Sequence, residues 1–305
     1  MSPSRALLVL LALFGSLFVM FVVGLGLILG ADRAPSLGGR PRVGVVEVTD
    51  AITDSKEFTE RLQRFLAQDS IKAIVVRVDS PGGSVGPSQE MRSEIIRARG
   101  KKPVVASLGS VAASGGFYVA VGAQKVVSNP GTLTGSIGVI MQHPVLVELM
   151  KTARVDMATY ASGALKNTGS PFHVPTPDER RYLQGITEEI HAQFVDAVAD
   201  SRQLPRDQVA AVADGRVITG ARAKELGLVD ELGTLQDAAR LALKLAGVEG
   251  DPELVYPPRK GGMLAELLEE GTQGAWRGVV KAVGPGMWRL QGVLPTLEVA
   301  PSQAR

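Results

Sequence analysis

Cysteine is absent from this chain of 305 residues, so no disulfide framework, thiolate metal site or thiol nucleophile can be built from it. Histidine is scarce. Only His143, His173 and His191 occur, and no two stand at a metal-ligand spacing. Neither a metal nor an organic cofactor is implied. Charge of one sign is not in excess either: 33 basic and 31 acidic residues leave a formal net charge of +2. A nucleic-acid partner is not expected, because such proteins concentrate basic residues on one patch. The phosphate-loop arrangement GxxxxGK[ST] is also missing, which argues against nucleotide hydrolysis.

What is present begins with a long apolar run. Residues 6–31, ALLVLLALFGSLFVMFVVGLGLILGA, carry no charge. At about 1.5 Å per residue this run exceeds a hydrocarbon core of ~30 Å and can span it with some tilt. A cleaved signal peptide has a shorter apolar core, so the segment reads as an uncleaved signal anchor behind a cytoplasmic stub at 1–5. Arg5 precedes the run and Arg33, Arg40 and Arg42 follow it, which does not favour export by charge alone. A large following domain translocates largely regardless of that count.

A polar linker at 32–41 leads into an alternation of element types. VGVVEV (43–48), IKAIVVRV (71–78), PVVASL (103–108) and KVVSN (125–129) read as strands, and residues 55–68 and 87–99 as helices between them. A short helix is expected from Ser114. A long one is expected from Pro177 to Arg202, with Leu183, Ile186, Ile190, Phe194 and Val198 at helical spacing and Pro177 in the first turn. Further helices are expected over ARAKELG and over 234–246. The alternation argues an α/β fold with parallel pairing. From about Asp251 the composition turns Pro- and Gly-rich, and both tryptophans, Trp276 and Trp288, lie there.

Three segments could carry chemistry. In SLGSVAASGGFYVAVGA (107–123), Ser114 stands between Ala113 and Gly115-Gly116 at a strand-to-helix transition. A serine there sits beside helix N-terminal N–H groups that can stabilise an oxyanion, although close packing of small residues explains the composition equally well. In DSPGGS (79–84), a Gly-Gly pair can aim a backbone N–H at a carbonyl oxygen or simply close a turn. Lys166, in ASGALKNTGSP (161–171), lies among small residues with few charges nearby. A lysine whose surroundings leave its amine neutral can take a proton from a hydroxyl, and a solvated loop lysine is the plainer alternative.

Taken together these segments resemble the signal peptide peptidase A family. The resemblance rests on DSPGGS (79–84), GSVAASGGFYVA (109–120), TGSIGV (134–139), GALKNTGSP (163–171) and GRVITGARAKELGLVDELG (215–233). It covers roughly residues 42–247 plus the anchor, and the short spacing of Ser114 and Lys166 suits the single-copy form. It implies a Clp-protease/crotonase-like fold of repeated ββα-type units, preceded by one transmembrane helix. It also implies a serine peptidase with Ser114 as nucleophile and Lys166 as general base. Ser136 would orient the lysine, and Gly83 and Gly115 would donate N–H groups to the oxyanion. Further implications are peptide substrates such as signal-peptide remnants, a homo-oligomer, and an extracytoplasmic catalytic domain held at the cell membrane. The tail at 248–305 matches nothing in the family. An acyl-CoA hydratase or isomerase would share the fold, but the span and the lysine loop argue against it. A non-catalytic membrane scaffold would have little reason to keep both Ser114 and Lys166.

Overall fold

The computed structural model describes residues 39–257 together with Gly15, Ser16, Phe18 and Met20. Those four are helical, but the rest of the expected anchor at 6–31 lies outside the described residues, as does the tail from 258 on. Among the described residues no helix is long and apolar enough to cross a membrane. The chain divides after Tyr256 into two compact units, and the first of them carries the sheet and its helices.

At the centre of this unit is an eight-stranded mixed sheet: β1 (Arg42–Ile52), β2 (Ile71–Gly83), β3 (Val104–Ala113), β4 (Lys125–Ser128), β5 (Leu133–Gly135), β6 (Val217–Thr219), β7 (Glu231–Leu232) and β8 (Glu253–Val255). The order is β6-β5-β3-β2-β1-β8, with β4 on β3 and β7 on β4. Every pairing among the described residues is parallel except β5 with β6. The far edge of β3 is divided. Val105–Leu108 pair with β4, and Val111–Ala113 pair with β5.

Helices cover both faces: α1 (Lys56–Leu66), α2 (Val85–Arg99), α3 (Gly115–Ala120), α4 (Val147–Ala153), α5 (Pro177–Arg202), α6 (Arg206–Ala210), α7 (Gly220–Glu225) and α8 (Leu235–Leu245). That explains why β2 reads as a nearly continuous apolar run rather than an alternating one. Ala73 and Val75 join a core with Ala238, Ala239, Ala242 and Leu243 of α8. Ile74, Val76 and Val78 face the opposite way, into the larger core with Phe58, Leu62, Phe65, Ile95 and Phe117. Phe65 lies directly over Gly44, where a Cβ would stand 2.7 Å from its ring.

The long helix starts where its signals place it. Thr176 and Glu179 form a reciprocal capping box, with Pro177 in the first turn. Its apolar stripe is only partly used, because Phe194 and Val198 are buried while Leu183 and Ile186 are half-buried. The sheet also continues past residue 247, where the tail was expected to begin, because β8 pairs with the start of β1.

One carboxylate ties the C-terminal segments to this frame. Asp230 accepts from Lys125 Nζ at 2.9 Å and from the Val126 N–H at 2.8 Å. It also pairs with Arg202 at 2.7 Å, whose side chain is 6% exposed. Burial alone would raise the Asp230 acid, but the Lys125 hydrogen bond, the Arg202 charge and the Val126 N–H together hold it below the usual carboxylate range. Asp230→Asn leaves Arg202 without its counter-charge and should cost about 2–3 kcal/mol. A thermal melt checks this. The loss should be full above pH ~5 and shrink as pH falls through the ordinary carboxylate range, where the unfolded chain takes up a proton that the depressed acid of the folded wild type still resists.

Candidate active site

The site grows from the C-terminal ends of β2, β3 and β5. Ser114 follows the last residue of β3 and is N-cap to α3, with φ 50° and ψ −123°. Such a backbone costs a non-glycine residue about 1–3 kcal/mol and persists only where its surroundings enforce it. Here the Ser114 N–H donates to Gly135 O at 2.9 Å. The side chain makes no capping hydrogen bond to α3, so the helix does not consume the hydroxyl.

Ser136 occupies the equivalent position one strand over. Ala113 is paired with Gly135, so Ser114 and Ser136 leave neighbouring strands side by side. Ser136 also has a positive φ of 49°, and its N–H donates to Arg216 O at 2.8 Å.

The Gly-Gly turn at the end of β2 comes up against Ser114 from the other side. Ser80 and Asp79 build it: Gly82 N–H donates to Ser80 Oγ at 3.1 Å, and Val111 N–H to Asp79 Oδ1 at 3.1 Å. The approach is close enough to forbid side chains. A Cβ on Gly82 would stand 2.6 Å from Gly115 N and 2.9 Å from Ser114 Cβ. One on Gly115 would stand 2.7 Å from Ser88 Oγ and 3.2 Å from Gly83 N. Two backbone segments rich in N–H donors therefore meet beside the serine.

A cavity of about 400 Å³ opens over this junction. Gly83, Ser114, Gly115 and Ser136 line it, together with Pro81, Val85, Ser88, Gln89, Tyr118, Val139, Ile140, Ile190, Phe194 and Asp214. Tyr118 and Phe194 meet edge to face, 5.0 Å between centroids, and form an aromatic wall. Asp214 brings a charge to the rim. The hydrogen bonds of the Arg216 side chain, then its backbone N–H, hold the Asp214 acid down to about 2, so the rim is a compensated ion pair. The lining is otherwise mostly apolar, as suits a side chain or chain segment of an apolar peptide.

Of the site residues expected from sequence, Gly83, Ser114, Gly115 and Ser136 thus share one cavity. Lys166 does not line it; it is exposed, in a run of turns between α4 and α5. The wall residues Tyr118, Ile140 and Phe194 and the rim residue Asp214 were not expected as site residues. Tyr118 carried a usable signal, because it lies one helical turn beyond Ser114 on α3.

A serine hydroxyl held out of its helix, beside converging backbone donors and an apolar cleft, is an arrangement for acyl transfer. Residues 97–249 match the family described as Peptidase family S49. The chain belongs to that family and is a serine-type peptidase of the signal peptide peptidase A and protease 4 kind. Among its relatives is a putative protease of Synechocystis, 39% identical over 213 residues, which cover 70% of this chain and 77% of that one. A putative signal peptide peptidase SppA of Enterococcus faecium is 35% identical over 184 residues, 60% of this chain and 54% of its own length. Protease 4 of Salmonella typhi is 33% identical over 236 residues, 76% of this chain but 35% of its own. The chain therefore spans about half the length of the second relative and a third of the third.

The junction offers its own test. Gly82 has φ +104°, and any Cβ there meets backbone. Gly82→Ala should push Ser114 and Gly115 out of place and lower kcat/KM by ~100-fold, the order expected for a shift of about 1 Å at a reacting centre. Peptide hydrolysis with a parallel melting curve measures it. An active variant would mean that the close approach is not needed.

Proposed function

We propose that this chain is a membrane-anchored endopeptidase with a Ser114–Lys166 dyad on a Clp-protease-like scaffold. Its substrates are remnant signal peptides and other short apolar peptides at the membrane. One observation carries the reading: the strained Ser114 stands where the Gly82-Gly83 turn and Gly115 converge, under an apolar cavity.

In this reading Ser114 Oγ attacks the scissile carbonyl and the Lys166 amine takes its proton. Gly83 and Gly115 N–H groups receive the developing oxyanion. The lysine then protonates the leaving amine, and water releases the acyl group. In the same reading Ser136, beside Ser114 on the adjoining strand exit, hydrogen-bonds the lysine once it arrives.

Lys166 arrives, we infer, through assembly. Its carrier segment exposes apolar residues along its length, including Ile140 at 82% and Tyr160 at 97%, with Leu149 and Val174 also exposed. Exposed apolar side chains in such density favour burial against another copy of the chain. A homo-oligomer would cover them and bring a lysine to each cavity. The anchor reading is supported by the uncharged run at 6–31, within which Phe18 and Met20 are helical and exposed. An anchor holds the site beside apolar peptides in the same bilayer and raises their effective concentration. The catalytic domain is then extracytoplasmic.

Hydrolysis of an apolar peptide by the full chain in detergent tests the dyad. Ser114→Ala and Lys166→Ala should each lower kcat by at least ~1,000-fold while staying folded. Mixing the two inactive variants should restore part of the activity if the dyad forms between subunits. An active Lys166→Ala would place the base elsewhere.

A further inference from the structure

The lysine segment contains a hydrogen-bonded chain that the peptidase mechanism leaves unused. Around Lys166 the backbone is a series of tight turns. Lys166 N–H donates to Gly163 O at 3.1 Å, Thr168 N–H to Leu165 O at 3.2 Å and Ser170 N–H to Asn167 O at 3.1 Å. These bonds shape the loop but fasten it to nothing outside itself. At its far end the Leu146 N–H, at the start of α4, donates to Pro171 O at 2.7 Å; nearer Lys166 the fastening comes from the next side chain. Asn167 Nδ2 lies 3.1 Å from His173 Nδ1. His173 Nε2 lies 2.9 and 3.0 Å from the two carboxylate oxygens of Glu179. Glu179 is 4% exposed, unusual for a carboxylate, and belongs to the capping box of α5, accepting the Thr176 N–H at 2.7 Å.

The direction of each bond follows from the chemistry of the groups. An amide nitrogen only donates, so His173 Nδ1 accepts and Nε2 carries the proton toward the carboxylate. The Thr176 N–H, then the His173 hydrogen bond, hold the Glu179 acid below the usual range, so it stays an ionised acceptor. The chain thus runs from the residue beside Lys166, through an imidazole, to the first turn of a helix whose far half is locked in the core.

We propose that Asn167, His173 and Glu179 act as a positioning relay, fixing the Lys166 loop to the start of α5 so that the amine is presented in one orientation. The proposal rests on Lys166 being the base. The relay answers a physical need. A lysine has four side-chain torsions, and a base displaced by about 1 Å can cost ~100-fold in rate. An exposed loop held only by its own turns and by one backbone bond at Pro171 would not define the starting point of that side chain. Glu179 also caps α5, so replacing it would disturb the helix as well. The Asn167 side chain has no hydrogen-bonded partner but His173 among the described side chains, so its variant separates positioning from folding.

The test uses the full chain in detergent, with kcat, KM and melting temperature measured for Asn167→Ala, His173→Phe, their double variant and Lys166→Ala. Asn167→Ala is expected to lower kcat by ~10- to 100-fold with KM and melting temperature nearly unchanged; His173→Phe should lower kcat as much and also lower the melting temperature, because buried Glu179 loses a hydrogen-bond donor. The double variant should be no worse than the worse single, because both cut the same link. Wild-type kcat in both singles beside an inactive Lys166→Ala overturns the relay and leaves the dyad standing. Losses that multiply in the double variant, or a loss in Asn167→Ala that follows a fall in its melting temperature, also overturn it. An active Lys166→Ala overturns the relay and the dyad together.

Discussion

The structure depends on a contact between two stretches of bare backbone. The turn at the end of β2 and the turn at the end of β3 approach so closely that a methyl group on Gly82 would collide with the other segment, and one on Gly115 would collide with Ser88 Oγ and crowd Gly83. Everything around the contact serves to hold it. The parallel register of β1, β2 and β3 delivers both turns to the same edge of the sheet. Ser80 and Asp79 lock the first turn, and Gly135 O locks the second. The positive φ of Ser114 is the strain that remains, and it lifts the hydroxyl away from α3 toward the cavity.

That arrangement separates the two parts of the proposed dyad by stiffness. The serine and its backbone donors sit on sheet edges whose side chains are buried on both faces, which limits their motion. The lysine sits on an exposed segment with few buried apolar contacts. A segment of that kind gains its definition from outside, through side-chain anchors such as His173 or through a covering surface. In this reading assembly and catalysis are coupled: the exposed apolar side chains around Lys166 draw copies together, and that association completes the site.

Much of the frame was legible in the sequence because it obeys short-range rules. β1 to β4 announce themselves as β-branched runs ended by Gly, Pro and Ser, and α5 starts at a capping box whose residues are all visible in TPDE. The divided edge of β3 was not legible. β5, β6, β7 and β8 are only two or three residues long, too short for any alternation to register. β8 lies in a Pro-containing stretch that reads as the beginning of a tail, and its pairing with β1 is a contact distant in sequence. Within the site, the glycine turns and Ser114 were conspicuous by composition. The aromatic wall was not, because Tyr118 and Phe194 come from separate helices and their spacing in the chain carries no sign of contact. Lys166 stood out only through family resemblance, since an exposed loop lysine has no local feature of its own.

The central claim is that Ser114, at the junction of the two backbone turns, is the nucleophile. The most direct measurement is to label the full chain with a serine-reactive fluorophosphonate and map the adduct by mass spectrometry. The account predicts one adduct, on the peptide containing Ser114, which disappears in Lys166→Ala. An adduct on Ser84, Ser88 or Ser136 instead, or labelling of Ser114 that is indifferent to Lys166, would contradict it.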